Sequence, residues 1–344
     1  MFKISTIDGM RDDLLESRLE KAFEARQSLI DPEHHHALRL YSGFYEGDPD
    51  LVIDLYGQTL VLNNFRKSLV SSVGLLDNAQ AYALERFPWI TCAIQKTRYA
   101  TDNLLKHGKF SFGDNTDPYV VENGIRYAVN LRMNQDASFY IDTRNLRTWL
   151  RDNSAGKSVL NTFAYSGSLG VAALAGGAKK VVQVDRNATY LSLARQSAAL
   201  NHLDLGKMKL RAADFFNEMG RFKQEGELFD IALLDPPFFS VTGRGTVDMI
   251  NESSRLINKI RPLVKDGGAL VVINNALFLS GADYMNSLFE LCRDGYLEVE
   301  TIVPVPLDIC GYPETIVSTG PVDPAPFNHA TKIVVLRVKR KTPR

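Results

Sequence analysis

The sequence predicts an α/β protein, in which a smaller N-terminal α+β domain precedes a doubly wound, mostly parallel sheet of seven strands. From about residue 142 onward, apolar strand-like runs alternate strictly with helical segments, which is typical of such a sheet. Runs such as 231–234 and 269–273 are apolar throughout, as expected for strands that helices cover on both faces. Before residue 117 the pattern differs, with one long amphipathic helix and several short strands.

The composition excludes several classes of protein. Lys and Arg together number 40, as do Asp and Glu, so a polybasic protein held to nucleic acid by bulk charge is excluded. The cysteines Cys92, Cys292 and Cys310 form no C-x-x-C pair, which excludes a disulfide scaffold and a cysteine zinc site. No apolar stretch has the length of a membrane span, and the N-terminus has no leader-like segment. We therefore expect a cytoplasmic protein without a metal.

The N-terminal domain is predicted over residues 1–116, with RNA binding as its candidate role. Its first helix places Leu15, Leu19 and Leu29 on one stripe, with charged residues elsewhere. Gly, Asp and Asn dominate residues 101–118, which predicts a linker and sets the domain boundary. The predicted elements are helices over 12–30 and 69–87 and strands over 38–44, 51–65 (broken by a turn at Tyr56-Gly57) and 90–96.

The C-terminal domain, residues 117–344, contains the seven predicted strands. They are expected over 158–163, 180–184, 207–211, 230–234, 269–273, 298–303 and 332–338. The helices between them are expected over 143–152, 168–175, 187–200, 214–223, 247–263 and 281–293. Since the carboxyl ends of parallel strands meet at one edge of a sheet, side chains that follow these strands should line a ligand crevice.

The turn after the first strand of this domain indicates a nucleotide site. It contains Phe163, Tyr165, Ser166, Gly167 and Ser168 and leads directly into a helix. A glycine there allows close approach of a ligand to the backbone, and N–H groups at the start of the helix point toward it. The turn is not G-x-G-x-x-G and holds no G-K-[ST], so a dinucleotide and a phosphate-binding loop are both disfavoured.

Acidic residues follow the next strands of the sheet. Asp185, followed by Arg186, lies about 20 residues beyond the glycine turn, where a carboxylate can accept both hydroxyls of a ribose. Asp214 ends the third strand, where it can accept an adenine amine, with Phe215 beside it.

A stiff loop follows the fourth strand. Two prolines after Asp235 keep this loop out of any strand ladder, so Asp235, Pro236 and Phe238 can present an acceptor and a stacking face to a planar base. Acidic or polar groups at four successive strand ends form one crevice, and coincidence does not explain them.

Three segments, 133–150, 159–185 and 233–239, resemble the S-adenosylmethionine-dependent 23S rRNA methyltransferases, and 38–65 resembles their small domain. The resemblance implies a class I methyltransferase fold with a Rossmann-like sheet and S-adenosyl-L-methionine as the cofactor. In this family a D-T-G-x-F-L-D-x-R segment helps to hold the methionine end of the cofactor. Its matching positions here are Asp136, Phe139, Asp142 and Arg144. The PUA domain of one branch has no room in the 37 residues before the resemblance begins.

The end of the fifth strand indicates the branch. Methylation of cytosine C5 needs a nucleophilic Cys there, but this sequence has Asn274 and Asn275, as in the S-N-N pattern of the branch that methylates guanine N7. N7 has a free lone pair and needs only placement and nearby acceptors, for which Asp235 and Asn274 are candidates.

The resemblance implies ribosomal RNA, 23S rRNA in particular, as the partner, and a homodimer is compatible with it. The alternatives that stay open are methylation of an exocyclic amine or cytosine C5 in rRNA, methylation of a protein or small molecule, and a cofactor-binding ribosome assembly factor without turnover.

Overall fold

The computed structural model describes residues 4–67, 73–237, 239–242, 245–248 and 253–340. The chain forms two compact units that interleave along the sequence. The first contains residues up to 124 together with 129–141 and 306–320, and the second contains the remainder. The sequence-based division into 1–116 and 117–344 has a single boundary, whereas these units exchange segments at several points.

The first unit is built on a five-stranded sheet in the order β1-β2-β3-β4-β5. Only β3 and β4 pair in parallel; the other neighbours are antiparallel. Leu19 and Phe23 of the first helix are buried with Leu40, Ile53 and Leu62 of the sheet in one core. The elements of this unit are α1 (Ile4–Arg26), β1 (Ala37–Ser42), α2 (Gly43–Glu46), β2 (Leu51–Tyr56), β3 (Thr59–Asn64), α3 (Val73–Arg86), β4 (Cys92–Thr97), α4 (Asn103–His107), β5 (Lys109–Phe112), β6 (Tyr119–Glu122) and, later in the chain, α11 (Leu307–Cys310).

The segment predicted to be a linker is instead part of this sheet, so that prediction was wrong. Residues 103–107 form α4, which begins where the Asp102 side chain accepts the N–H of Leu105. Residues 109–112 form β5, the edge strand, which pairs antiparallel with β4. The residues around this strand are polar and give no strand-like pattern. Its pairing partner, β4, lies outside the segment, so the segment alone could not indicate the pairing.

A buried ion pair holds residues 306–320 in the first unit. Arg26 and Glu46 are both buried, and their guanidinium and carboxylate groups form two hydrogen bonds of 2.9 and 3.2 Å. Arg26 also donates to the carbonyl of Asp308 at 2.9 Å, and Thr315 donates to Glu46. Each charge is therefore paired and hydrogen-bonded, as a buried charge requires.

The second unit confirms the predicted class I methyltransferase architecture. Its seven-stranded sheet has the order β10-β9-β8-β11-β14-β16-β15, in which β10 to β14 are parallel and β16 is antiparallel to both neighbours. Its elements are β7 (Ile125–Ala128), α5 (Arg144–Asn153), β8 (Ser158–Thr162), α6 (Ser168–Ala175), β9 (Lys180–Asp185), α7 (Ala188–Leu200), β10 (Met208–Ala212), α8 (Phe215–Gln224), β11 (Phe229–Leu234), β12 (Phe239–Thr242), β13 (Gly245–Asp248), α9 (Ser253–Ile260), β14 (Val264–Asn274), α10 (Gly281–Cys292), β15 (Leu297–Ile302) and β16 (Lys332–Val338).

The strands of the second unit are buried as their apolar runs predict. Leu160, Val182, Ala232, Leu270 and Val334 come from five different strands and belong to one core. The helix predicted over 247–263 begins later than expected, because β12 and β13 form a hairpin and α9 starts at Ser253. Among the described residues, no helix is long and apolar enough to cross a lipid bilayer.

Candidate cofactor and substrate site

The candidate site lies at the carboxyl edge of the seven-stranded sheet. The strand order reverses between β8 and β11, so the connections after these strands run to opposite faces and leave a crevice. The register places Thr162 beside Leu234, and Leu234 beside Val272. Asp235, which follows β11, and Asn274, which ends β14, therefore lie along one edge.

The turn between β8 and α6 has an unusual backbone. Phe163, Tyr165 and Gly167 all have positive φ, at 54°, 51° and 73°. Left-handed non-glycine residues are uncommon and concentrate at functional sites. The N–H of Ala164 donates to the carbonyl of Val184, and the N–H of Tyr165 donates to Asp185 Oδ2 at 2.8 Å. The second strand thus fixes the turn that follows the first.

Glycine is required at position 167 for two reasons. Its φ is positive, and a Cβ there would lie 2.6 Å from Oε1 of the buried Gln183 and 2.6 Å from Cβ of Ala194. The close approach made possible by this glycine is therefore to the protein's own β9 and α7. Ser166 beside it is buried, and Ser168 begins α6.

Asp185 accepts hydrogen bonds within the protein and can still accept others from a ligand. Oδ2 accepts from Tyr165, and Oδ1 accepts the N–H of Asn187 at 2.9 Å. A carboxylate offers about four acceptor positions, so these two bonds leave capacity for ribose hydroxyls. The side chain is half-buried, whereas Arg186 next to it is exposed.

Asp214 and Phe215 are also engaged within the protein. Asp214 is the N-cap of α8 and accepts the N–H groups of Phe216 and Asn217. Phe215 is buried, and its ring stacks on Phe163 with the centroids 4.9 Å apart. These capping bonds orient the carboxylate at the strand end. An Asp directly before a helix with apolar residues is typical of an N-cap, so the sequence could have indicated this role.

The carboxylate of Asp142 acts electrostatically on that of Asp235 at this edge. Burial, and then the negative charge of Asp142, raise the pKa of Asp235 to about 7. Asp142 lies just before α5, and its Oδ2 accepts from the hydroxyl of Thr331 at 3.0 Å. Pro236 is buried beside Asp235, while Phe238 lies outside the described residues. Like charges in a half-buried site favour a cationic ligand between or beside them.

The start of β16 organises this edge, which the sequence analysis missed. Thr331 contacts Asp142, and the next residue, Lys332, is fully buried and donates to the carbonyls of Ala276 and Ala330 at 3.0 and 2.7 Å. Burial lowers the pKa of Lys332 to about 8. The sequence signal for these contacts was a threonine and a lysine at the start of a buried strand, because a buried lysine needs carbonyl partners.

Asn274 holds the turn after β14. It is buried, and its Oδ1 accepts the N–H of Ala276 at 3.0 Å. Lys332 fixes the carbonyl of the same Ala276, so both polar groups of this peptide position are tied down. The turn presents Asn275 to solvent and ends in Phe278, which is 71% exposed and was not among the predicted site residues.

The residues that match the methionine-end motif fall in both units. Asp142 and Arg144 belong to the second unit, where Arg144 is half-buried at the start of α5. Asp136 and Phe139 belong to the first unit. There Asp136 pairs with Arg98 at 2.7 Å, and the carbonyl of buried Phe139 accepts from the Tyr56 hydroxyl.

The polar groups at this edge suit S-adenosylmethionine. A half-buried carboxylate with spare acceptor capacity ends β9, and the carboxylate of Asp235 follows β11. Among the residues whose placement is described, no cluster of three or more His, Cys, Asp and Glu side chains could hold a metal ion.

Comparison with known proteins identifies the family. The family of S-adenosylmethionine-dependent methyltransferases matches residues 69–294. Ribosomal RNA large subunit methyltransferase I of Aeromonas salmonicida is 33% identical over 236 residues, which are 66% of this chain and 58% of that protein. YwbD of Bacillus subtilis is 30% identical over 270 residues, 76% of this chain and 66% of that protein. The chain thus spans less than two-thirds of the first relative's length.

A solved structure has the same fold. SMU.776, crystallised with S-adenosylhomocysteine (SAH), superimposes with a TM-score of 0.82 at 21% identity, covering 95% of this chain and 82% of that one. The fold, the carboxyl-edge site and the family match over residues 69–294 lead to one conclusion. The chain belongs to the S-adenosylmethionine-dependent methyltransferases, and its cofactor is S-adenosyl-L-methionine.

Proposed function

We propose that this protein methylates a base of large-subunit ribosomal RNA, with guanine N7 as the favoured atom. The observation that carries the proposal is the carboxylate pair, Asp142 and Asp235, at the carboxyl edge of the sheet. S-adenosylmethionine, when bound, supplies a methyl group on a positively charged sulfur. The pair provides the negative potential that such a cation and a newly methylated, cationic purine both need.

The residues of the site have distinct proposed roles. Asp185 accepts the ribose hydroxyls, and Asp214 with Phe215 borders the adenine. The turn 163–168 forms the floor of the pocket. Asp142 and Arg144 are proposed to hold the methionine end, and the role that the resemblance implies for Phe139 stays a prediction. Asp235, Pro236 and Asn274 are proposed to border the target base.

Phe278 offers an exposed aromatic ring on which the target base can stack. It is exposed at the end of a turn that Asn274 and Lys332 hold in place, four residues beyond the strand end. A flipped base can stack on such a ring, which returns part of the free energy lost on unstacking. The stacking role predicted for Phe238 stays a prediction.

Ribosomal RNA as the substrate is supported by the name of the Aeromonas salmonicida relative, a ribosomal RNA large subunit methyltransferase. A 23S rRNA is the proposed partner, and the cytoplasm is the proposed location of the activity. A homodimer stays a prediction.

The positions of the three cysteines favour guanine N7 over cytosine C5 as the methylated atom. Position 274 is Asn, and Cys292 ends α10, a 12-residue helix that begins after the β14 turn. At 1.5 Å per residue Cys292 lies about 16 Å along the helix from its start, which is too far for attack on the same base. Cys92 and Cys310 are buried in the first unit. A thiolate at the target base is therefore not supported.

A second candidate is methylation of an exocyclic amine. The pKa of about 7 suits Asp235 to accept a proton near neutral pH, and such an amine must lose one during methylation. The Asp-Pro-Pro loop can also supply a carbonyl as a second acceptor. A protein or small-molecule substrate, and a role in assembly without turnover, are the remaining alternatives.

The test compares nucleosides from total rRNA of cells with and without the gene by mass spectrometry. We expect loss of one methylated guanosine, restored by the wild-type gene and not by Asp235→Asn. Cleavage with borohydride and aniline then maps an N7-methylated position. Loss of an N-methyl amine nucleoside would favour the second candidate. Unchanged rRNA methylation, with label transferred only to protein or small molecules, would contradict an RNA substrate.

A further inference from the structure

Two buried side-chain amides of the second unit lie against the start of α6. Asn161 of β8 and Gln183 of β9 are neighbours in the register of the parallel sheet, and both are buried. Nδ2 of Asn161 donates to Oε1 of Gln183 at 3.0 Å, and Nε2 of Gln183 donates to Sδ of Met208 in β10 at 3.3 Å. Both polar atoms of the Gln183 amide are therefore held.

The Gln183 amide fills the space beside two glycines. An ideal Cβ at Gly167 would lie 2.6 Å from Oε1 of Gln183, and one at Gly170 would lie 2.5 Å from the same atom. The two glycines are three residues apart, so they share one face of the helix. Gly170 lies within α6 and does not have a left-handed backbone, so the amide is what excludes a side chain at this position.

The end of β9 supports the whole turn between β8 and α6. Gln183 contacts the end of the turn at Gly167. The next two residues hold its beginning, because the carbonyl of Val184 and the carboxylate of Asp185 accept backbone N–H groups from it. The length of the side chain at position 183 therefore sets how closely the start of α6 approaches the sheet.

Stability alone does not account for an amide at this position. Oδ1 of Asn161 is buried and has no hydrogen-bond partner among the described residues. A thioether sulfur, the partner of Gln183 Nε2, is a weak acceptor. Buried amides with incomplete hydrogen bonding lower stability relative to apolar side chains of similar size. The pair is better explained by the turn that it supports.

We propose that Gln183 is a positioning residue for the binding of S-adenosylmethionine. Its amide, held by Asn161, keeps the start of α6 at a fixed distance from β9 and so places the backbone of the turn 163–168 against the cofactor. Gln183 is fully buried, so it acts on the cofactor only through this turn. The proposal rests on the proposed role of the turn as the floor of the pocket.

Calorimetry with SAH and the full-length protein tests this role, at a temperature at which every variant is folded. Gln183→Ala should weaken SAH binding about tenfold, because the turn loses its support. Gly170→Ala should have a similar effect, because its methyl group displaces the amide. Gln183→Ala/Gly170→Ala should bind SAH more tightly than either single variant, since the new methyl group occupies part of the space that the amide leaves.

Ser197→Ala is the matched control. Ser197 is a buried polar residue of α7 that accepts the N–H of Ala128 and donates to the carbonyl of Leu193, and neither partner belongs to the turn. Its replacement should lower the unfolding temperature and leave the affinity for SAH unchanged. A role of Gln183 in stability alone would give the same result for Gln183→Ala and would overturn the proposal.

Gly167→Ala separates the role of Gln183 from that of the turn. Weaker SAH binding in this variant, with unchanged binding in Gln183→Ala and Gly170→Ala, would overturn the role of Gln183 and leave the turn as the pocket floor. Unchanged binding in all three would overturn both. Losses that simply add in the double variant would also overturn the role of Gln183. Because only SAH is measured, none of these outcomes depends on the RNA substrate.

Discussion

Replacing Asp235 by Asn should make the apoprotein more stable at pH 8 while it weakens function. The pKa of Asp235 is about 7 in the folded protein, compared with an ordinary value of 3.8. Burial and the charge of Asp142 raise it because both disfavour the ionised form. At 1.36 kcal/mol per pKa unit, the ionised side chain costs at most about 4 kcal/mol of stability above pH 7. Because solvent reaches part of the half-buried side chain, we expect about 1–3 kcal/mol.

The pH dependence has a defined direction. Between about pH 4 and pH 7 the folded protein binds more protons at Asp235 than the unfolded chain does. The wild type therefore loses stability as the pH rises through this window. The Asn variant has no ionisable group at position 235 and does not show this loss. The difference between the two proteins should be smaller at pH 5 than at pH 8, where a gain of about 2 kcal/mol raises the unfolding temperature of a chain of this length by roughly 3 °C.

Thermal unfolding of the ligand-free protein at pH 5 and pH 8 measures this difference. Asp230→Asn is the matched control in the same unit. Although burial opposes it, hydrogen bonds from Lys265 and Ser158 lower the pKa of Asp230 to about 2, so its loss should destabilise the protein at pH 8. Calorimetry should show that Asp235→Asn weakens binding of S-adenosylmethionine more than that of SAH, which lacks the positive charge. An Asn variant that is no more stable at pH 8, or that weakens both ligands equally, would refute the carboxylate-pair argument.

Three further predictions concern other parts of the chain. Asp185→Ala should weaken SAH binding by about 1.5–3 kcal/mol, one to two decades, measured by calorimetry, and unchanged affinity would remove the ribose assignment. A variant with all three cysteines replaced by Ser or Ala, if it folds, should keep its activity within a few-fold, whereas a covalent complex with 5-fluorocytosine RNA would restore cytosine C5 as the target. Arg26→Met should lower the free energy of unfolding by about 3–5 kcal/mol because Glu46 stays buried without its partner, and Arg26→Met/Glu46→Leu should recover much of that loss in denaturant titrations.

The sequence by itself determined the architecture of the second unit. Its central strands are largely apolar runs, and β16 begins and ends at the predicted residues, Lys332 and Val338. Such a run can be recognised in the sequence because burial on both faces leaves a strand with few polar residues. Asp185 and Asp235 could be placed at the ligand edge for the same reason, since each directly ends or follows such a run.

Only the tertiary structure decided which groups these residues contact. Lys332, which the sequence places only at the start of a predicted strand, is a buried donor to the turn after β14. Thr331 contacts Asp142 across 189 residues of sequence, and the edge strand β5 finds its partner outside its own segment. Periodicity and composition are local properties, so they report whether a residue is buried and in which element. Hydrogen bonds between distant segments depend on strand order and register, and these are set only when the chain packs.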